Sequence, residues 1–416
     1  MIAVRRKLLV VGGSYAACEL ASYAREKGYG EDIVIVSEET ALPYHRPPLS
    51  KAYLKDPSEE PMRLRAPNFY ATHKIQVELG VKVIGFESER NVALLSNNTR
   101  IPFDSLALTV GASPRRLSCL GSDLGNIYYL RSLADARLLS AATADAEHIV
   151  IIGAGFIGLE VASVLVQQQK KVTIVETENR VLARAVSPEI SRLLASLHVG
   201  HGAKLLTSCA VQSLVGEGGV VRKAMLDDGT LIDADIIIAG IGSVPNLALA
   251  QLLELRTAQG ILVDSKSRTS RTNVFAAGDC AQFWGPFNST GIRLESVQNA
   301  TDQSRVAGAV IAGVDSSYDS VPWFWSDQYD VKLQIVGLPY GGTERVVRSS
   351  GTSGTSVFHF RNDTCICIES INRPREHVSA RRLLALKNIT KRLLQDVDFD
   401  VSALTKQGAI PAYVEY

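Results

Sequence analysis

His148 to Glu176 reads HIVIIGAGFIGLEVASVLVQQQKKVTIVE, and this stretch decides the fold. It holds an apolar run of strand length, a glycine turn, a helix-like stretch and a second Val/Ile-rich run. Ile157, Val161, Val164 and Leu165 recur at helical spacing. The order is that of a βαβ unit, and the unbroken apolar strands suit a parallel sheet covered on both faces. The turn Gly153-Ala154-Gly155-Phe156-Ile157-Gly158 matches the dinucleotide fingerprint in full. Gly153 permits the tight turn, Gly155 lets backbone approach a pyrophosphate, and Gly158 lets helix pack closely on strand. Glu176 ends the second strand, where a carboxylate accepts the ribose hydroxyls of NADH and repels the 2′-phosphate of NADPH. Arg180 and Arg184 lie near enough to oppose that preference, and Arg184 is counted among the cofactor-site candidates.

Working outward, a similar segment starts at Lys7: KLLVVGGSYAACELASYAREKGYGEDIVIVSE. Ala17, Leu20, Ala21 and Ala24 recur at helical spacing, and Gly28 closes the helix. Its turn, Gly12-Gly13-Ser14-Tyr15-Ala16-Ala17, keeps the first glycine. Ser14 stands at the second glycine position and Ala17, a tolerated residue, at the third. Glu38 follows the second strand as a candidate ribose-binding carboxylate. Two such units imply two nucleotide-shaped ligands. Further strands are expected within Val77 to Leu108, at Ile236 to Ala239 (with Gly240 and Gly242 following as candidates for the second site) and at Val274 to Ala277. The last hundred residues change character: Trp323, Trp325 and alternating runs at Lys332 to Val336 and Val357 to Phe360 suggest an antiparallel sheet. A basic helix is expected near Ser379 to Leu394.

The fold class expected is therefore α/β, with two Rossmann-like dinucleotide-binding domains and a C-terminal α+β domain. The expected boundaries are 1–112 with 244–316 for a discontinuous first domain, 113–243 for the second, and 317–416 for the third. The 416 residues carry a formal net charge of +1, which does not suggest a nucleic-acid partner. No apolar run approaches the roughly 20 residues of a membrane helix. Leu8 to Val11, preceded by Arg5, Arg6 and Lys7, is too short for a signal peptide and reads as a buried strand. The six cysteines match no zinc spacing and read as reduced core thiols of a cytoplasmic protein, so no metal is expected. Cys365 and Cys367, two apart, are expected on one face of a strand. Glu160, alone in a mostly apolar helix, needs a partner, because a buried carboxylate is costly without one. A pair with Lys51 would satisfy both.

The chain resembles the FAD-dependent ferredoxin reductases of bacterial oxygenase systems, the group of the putidaredoxin and biphenyl dioxygenase reductases. The motifs are Pro43-Tyr44-His45-Arg46-Pro47-Pro48-Leu49-Ser50-Lys51, the second fingerprint through Glu160, Thr272-Asn273-Val274-Phe275-Ala276-Ala277-Gly278-Asp279, Glu295-Ser296-Val297-Gln298-Asn299-Ala300 and Pro322-Trp323-Phe324-Trp325-Ser326-Asp327-Gln328-Tyr329. The apoptosis-inducing-factor and monodehydroascorbate reductase families share several of these. The resemblance implies non-covalent FAD, with NADH as co-substrate. It implies that Arg46 and Lys51 contact FAD, Lys51 near the reactive edge of the flavin. Val83 would touch the adenine, Arg131 the pyrophosphate and Asp279 the ribityl chain. Val297 and Trp325 would line the flavin ring. Two departures stand out: Ser14 in the first fingerprint, and Thr109-Val110-Gly111 where Ala-Thr-Gly is usual.

Lys51, Glu160 and Trp325 are the expected catalytic residues. Around His45 to Tyr53, where disulfide reductases of similar fold place a Cys-x4-Cys pair, there is no cysteine. An external acceptor must then approach the flavin itself. The expected acceptor is a small acidic two-iron ferredoxin feeding a haem monooxygenase or Rieske-type dioxygenase. Arg373, Arg375, Arg381, Arg382, Lys387, Lys391 and Arg392 are its expected docking charges, on a monomer or homodimer. The competing readings are an NADH oxidase or small-quinone reductase, and a redox-sensing interaction protein.

Overall fold

The computed structural model describes residues 6–285, 288–349, 354–386, 389 and 391–394. Two compact units emerge. The first comprises 1–48, 56–115 and 243–320; the second comprises 49–55, 116–242 and 321–416.

The first unit is built on a five-stranded parallel sheet. Its spatial order is Val274–Ala276, Ser105–Leu108, Lys7–Val11, Asp32–Ser37, Ile75–Leu79. Alternation decides which face each side chain covers. Leu8 and Val10 pack with Ala17, Leu20, Ala21 and Ala24 of the helix Tyr15–Glu26. Leu9 and Val11 face the opposite way, into a core shared with Val83, Ala93 and Phe103. The helix Val297–Ile311 lies against Tyr15–Glu26 so closely that a Cβ at Gly308 would sit 2.6 Å from the Leu20 carbonyl oxygen. Only glycine permits that approach.

The second unit carries its own five-stranded parallel sheet, ordered Lys204–Leu206, Lys171–Val175, His148–Ile152, Ile236–Ala239, Ile127–Tyr128. It also carries a five-stranded antiparallel sheet, ordered Trp323–Gln328, Val331–Gly337, Thr364–Ile371, Thr355–Arg361, Glu344–Ser349. The residues expected to form a third domain thus group with the second nucleotide segment. A buried contact ties them: Glu369 of the antiparallel sheet accepts from the Ser187 backbone N–H at 2.9 Å and from its hydroxyl at 2.5 Å. Ser187 in turn caps the helix Pro188–Gly200. His359 and Cys367 gather on the same carboxylate. Burial, first, and then Glu369 push the Cys367 thiol well above its usual range, so the sulfur stays protonated and the cluster is best read as a buried helix cap.

Two details differ from the sequence reading. Cys365 pairs with Phe360 while Cys367 pairs with His359, with a bulge between the pairs. The extra residue turns the strand, so the two thiols do not share a face. Cys365 joins the apolar core with Phe358 and Ile368. The C-terminal helix runs Pro374–Leu386, starting five residues earlier than expected. Proline at its first position has a φ already suited to a helix and lacks only an N–H that the first turn leaves unpaired. Lys391–Leu394 forms a separate 3-10 turn, and Lys387 lies outside the described residues.

Candidate functional site: two nucleotide cradles and a buried Lys–Glu seat

In both turns the backbone places the first glycine identically. The N–H of Gly12 donates to Val36, and that of Gly153 to Val175, each at 2.8 Å. Their φ values are +119° and +100°, a region that side chains avoid. Added Cβ atoms would lie 2.3 Å from the Thr109 carbonyl oxygen and 2.5 Å from that of Gly240. A Cβ at Gly158 would lie 2.2 Å from the Gly153 oxygen, which is the helix–strand contact the fingerprint requires.

Gly155 differs. Its φ is −79°, open to any residue, and a Cβ there would meet no protein atom closer than 3.8 Å. Protein packing therefore does not explain this glycine. A pyrophosphate drawn up to the N-terminus of the helix Phe156–Gln167 does explain it, so the residues fit a dinucleotide. Beside it, Ile157 is exposed, Phe156 meets Phe324 at a 45° tilt with ring centres 4.5 Å apart, and Gly242 takes a φ of +101°.

Glu176 sits where the reading expects. One carboxylate oxygen accepts from the Ala154 N–H at 2.7 Å and the other from the Glu178 N–H at 2.9 Å. The side chain is thus fixed at the turn. Arg180 is committed elsewhere, donating to the carbonyls of Val186 and Ala183. Arg184 is exposed.

In the first unit, matching the Val36 and Val175 positions puts Ser37, not Glu38, at the place Glu176 holds in the second. Glu38 lies one residue beyond and pairs with Lys82 at 3.2 Å. Glu39, for which the sequence gives no signal, also has polar partners here. It accepts from Arg46 at 2.5 Å and from the Tyr44 hydroxyl at 2.5 Å. Arg46 also donates to Ser14 Oγ at 3.0 Å, so the departure from glycine at position 14 has a partner. Tyr15 bonds His45 through its hydroxyl at 2.5 Å. Asp279 is half-buried, follows Gly278 at φ +79°, and is close enough to act on the charge of Arg46. A Cβ at Gly278 would be 3.4 Å from that of Ala16, placing Asp279 beside the first turn. Val83 is buried in the unit's core, and Val297 opens its helix half-exposed.

The pair expected between Glu160 and Lys51 forms, at 2.8 Å, inside the second unit. The Glu160 side chain is only 5% exposed. Two residues absent from the sequence reading complete it: Ser50 Oγ donates to Oε2 at 2.5 Å, and Ser326 Oγ donates to Oε1 at 2.7 Å. Each oxygen of the buried carboxylate is therefore met by a donor. Strand alternation turns Ser326 toward Glu160 and leaves Trp325 on the other face, half-buried and 5.5 Å from Trp323. Arg131, also in this unit, is held at its backbone by Asp135.

Each unit thus carries a dinucleotide-type turn, and the second adds a buried carboxylate that holds a partly exposed lysine; the chain is an FAD-dependent oxidoreductase that uses a nicotinamide nucleotide. Residues 6–304 match the model of pyridine nucleotide-disulphide oxidoreductases, and residues 323–405 match a reductase C-terminal domain. The chain belongs to the pyridine nucleotide-disulphide oxidoreductase family. It is 39% identical to rhodocoxin reductase of Rhodococcus erythropolis, over 95% of this chain and 93% of that one. The ferredoxin reductase for the CYP199A2 system of Rhodopseudomonas palustris superposes with a TM-score of 0.93 at 37% identity, covering 96% of this chain and 99% of that one. The covalent putidaredoxin reductase–putidaredoxin complex gives 0.92 at 33% identity, covering 96% and 98%.

Proposed function

We propose that this protein is an NADH:ferredoxin reductase whose acceptor is a small two-iron two-sulfur ferredoxin serving a haem monooxygenase or a Rieske-type dioxygenase. Residues 1–112 and 244–316 hold FAD through Gly12, Ser14, Ala17, Arg46 and Asp279; residues 113–243 hold NADH through Gly153, Gly155, Gly158 and Glu176. FAD, when bound, converts a two-electron hydride donor into a source of single electrons. The observation that carries this reading is the Lys51–Glu160 seat, doubly braced by serines. It fixes an ammonium in one position, and an ammonium so held can stabilise developing negative charge with no reorganisation as a reaction proceeds. Hydride transfer asks for near-attack geometry rather than a proton donor, and a rigid seat suits that demand.

The acceptor side is supported by the antiparallel sheet. Trp325 neighbours Trp323, which meets His377 edge-on at 5.7 Å and lies under the Arg381 guanidinium at 4.6 Å. The basic helix is thereby joined to the aromatic pair. Arg375 and Arg382 are exposed on it, whereas Arg373 is turned inward onto Glu376 at 3.3 Å. The six cysteines are all unpaired, which supports a cytoplasmic setting. Among the described residues, no helix is long and apolar enough to cross a membrane.

The test is NADH-driven reduction of an acidic two-iron ferredoxin. Turnover should exceed that with oxygen alone and slow as salt rises, because exposed charges are screened beyond about 8 Å at physiological ionic strength. Arg382→Glu should raise the ferredoxin KM and leave flavin reduction intact. Turnover no faster with ferredoxin than with oxygen would favour the oxidase reading.

Nucleotide choice gives a second check. Glu176→Ser removes the carboxylate that repels a 2′-phosphate, so the ratio of kcat/KM for NADPH to NADH should rise about tenfold or more. A wild type that already prefers NADPH would contradict the assignment.

A further inference from the structure

Behind Ser326 the polar contacts continue through the interior of the second unit, and their direction can be deduced from one end. Glu160, as a carboxylate, only accepts. Ser326 must therefore give its single proton to Oε1, at 2.7 Å. Its oxygen is then left to accept, and Gln328 Nε2 donates to it at 3.1 Å. That orientation turns the Gln328 carbonyl toward His198 Nε2, 3.0 Å away. His198 must carry its proton on Nε2 to meet it. Burial, first, and the neighbouring His201 hold the His198 pKa below its usual value, so the ring is neutral near pH 7 and Nδ1 is bare. The Tyr329 hydroxyl faces Nδ1 at 3.4 Å. Ser326, Gln328 and His198 are essentially without solvent contact, at 0%, 1% and 0% exposure.

Tyr329 occupies the turn between the strands Trp323–Gln328 and Val331–Gly337 with a φ of +55°. A bulky residue there is strained by about 1 kcal/mol or more. Its ring stacks flat on His201 at 3.8 Å and 15°, which offsets the strain and sets the hydroxyl against His198.

We infer that Tyr329, His198, Gln328 and Ser326 form a one-way chain of donors that ends on Glu160, making Gln328 and His198 positioning residues for hydride transfer. The chain rests on the reading of Glu160 as part of the nicotinamide seat. Each member has one orientation consistent with its neighbours, so the carboxylate inherits a single rotamer and Lys51 a single position. The helix Pro188–Gly200 and the hairpin that turns at Tyr329 thus both act on the seat without touching substrate.

The experiment is anaerobic stopped-flow reduction of the FAD-loaded enzyme by NADH. Gln328→Met keeps volume and removes the donor. His198→Leu removes the ring donor, while His198→Gln returns an amide donor from a side chain of similar reach. Gln328→Met and His198→Leu should each lower the limiting rate about fivefold to tenfold, the cost of a lost oriented hydrogen bond to a charged group's partner. The Kd for NADH should change less than about twofold, and His198→Gln should recover most of the rate. Electron delivery from reduced enzyme to ferredoxin should not change. Equal slowing by His198→Leu and His198→Gln, or none by either, overturns the chain while the seat stands. If Glu160→Gln itself leaves flavin reduction at the wild-type rate, it is the seat that fails. Should Gln328→Met not fold, the two His198 variants still decide.

Discussion

Gly155→Ala should weaken NADH binding by about tenfold or more, at least 1.4 kcal/mol, while leaving stability nearly unchanged. Most glycine substitutions in such a turn cannot separate these effects. At Gly153 a side chain would meet the Gly240 carbonyl oxygen at 2.5 Å and suffer a φ of +100°, and at Gly158 it would meet the Gly153 oxygen at 2.2 Å. Both changes should cost folded protein. Gly155 has ordinary backbone angles and nearly 4 Å of clear space on the protein side. The only thing an added methyl should obstruct is the ligand. The measurements are a titration of the FAD-loaded protein with NAD⁺ or NADH and urea unfolding followed in parallel. Unchanged NADH affinity would mean that the dinucleotide does not cross this turn. Lost stability would mean that the glycine serves packing after all.

Lys51→Met should be the most damaging single change at the seat. It leaves Glu160 charged, 5% exposed and deprived of its counter-ion. Breaking a buried pair from one side costs about 3–5 kcal/mol, because the remaining charge is uncompensated. The hydroxyls of Ser50 and Ser326 still donate to Glu160 and should reduce this to about 2 kcal/mol. Glu160→Gln leaves instead a lysine that is 19% exposed and nearer water, so it should cost less, about 1 kcal/mol. The double variant should be more stable than Lys51→Met alone, which urea unfolding of all three will show. Flavin reduction by NADH should fall about a hundredfold in Lys51→Met, the scale for losing one preorganised electrostatic group. A Lys51→Met enzyme with wild-type stability and rate would place the seat outside both folding and chemistry.

The residues differ in how legible they were. Gly153, Gly158 and Glu176 were readable because their roles are local: a turn, a helix start and a strand end within thirty residues fix what surrounds them. Glu160 was readable for another reason. A lone carboxylate in an apolar helix announces a missing partner, and Lys51 answered it across more than a hundred positions. Ser50 and Ser326 carried no such signal, since serine is at home in any loop or strand and its hydroxyl gains meaning only from what it faces. Glu38 was singled out because it follows the second strand, which ends at Ser37. The sheet's register shows Ser37 at the matching place and Glu39 turned onto Arg46. Side-chain direction alternates at each step, so the adjacent carboxylates Glu38 and Glu39 meet different partners, Lys82 and Arg46, and only packing decides which. The bulge that separates Cys365 from Cys367 was equally hidden, because an extra residue in one strand exists only relative to its neighbour.

By itself, then, the sequence determined the two βαβ units, the nucleotide turns and the antiparallel C-terminal sheet, while the class of redox chemistry came through the family resemblance its motifs carry. Those follow from periodicity, from glycines at required spacings and from motifs, all properties of contiguous chain. Only the tertiary structure decided that residues 49–55 and 321–416 group with the second nucleotide segment, and that Ser326, Gln328 and His198 line up behind Glu160. Burial creates that last distinction: once water is excluded, each polar group must find a protein partner, and the partners available are set by packing between segments far apart in the chain.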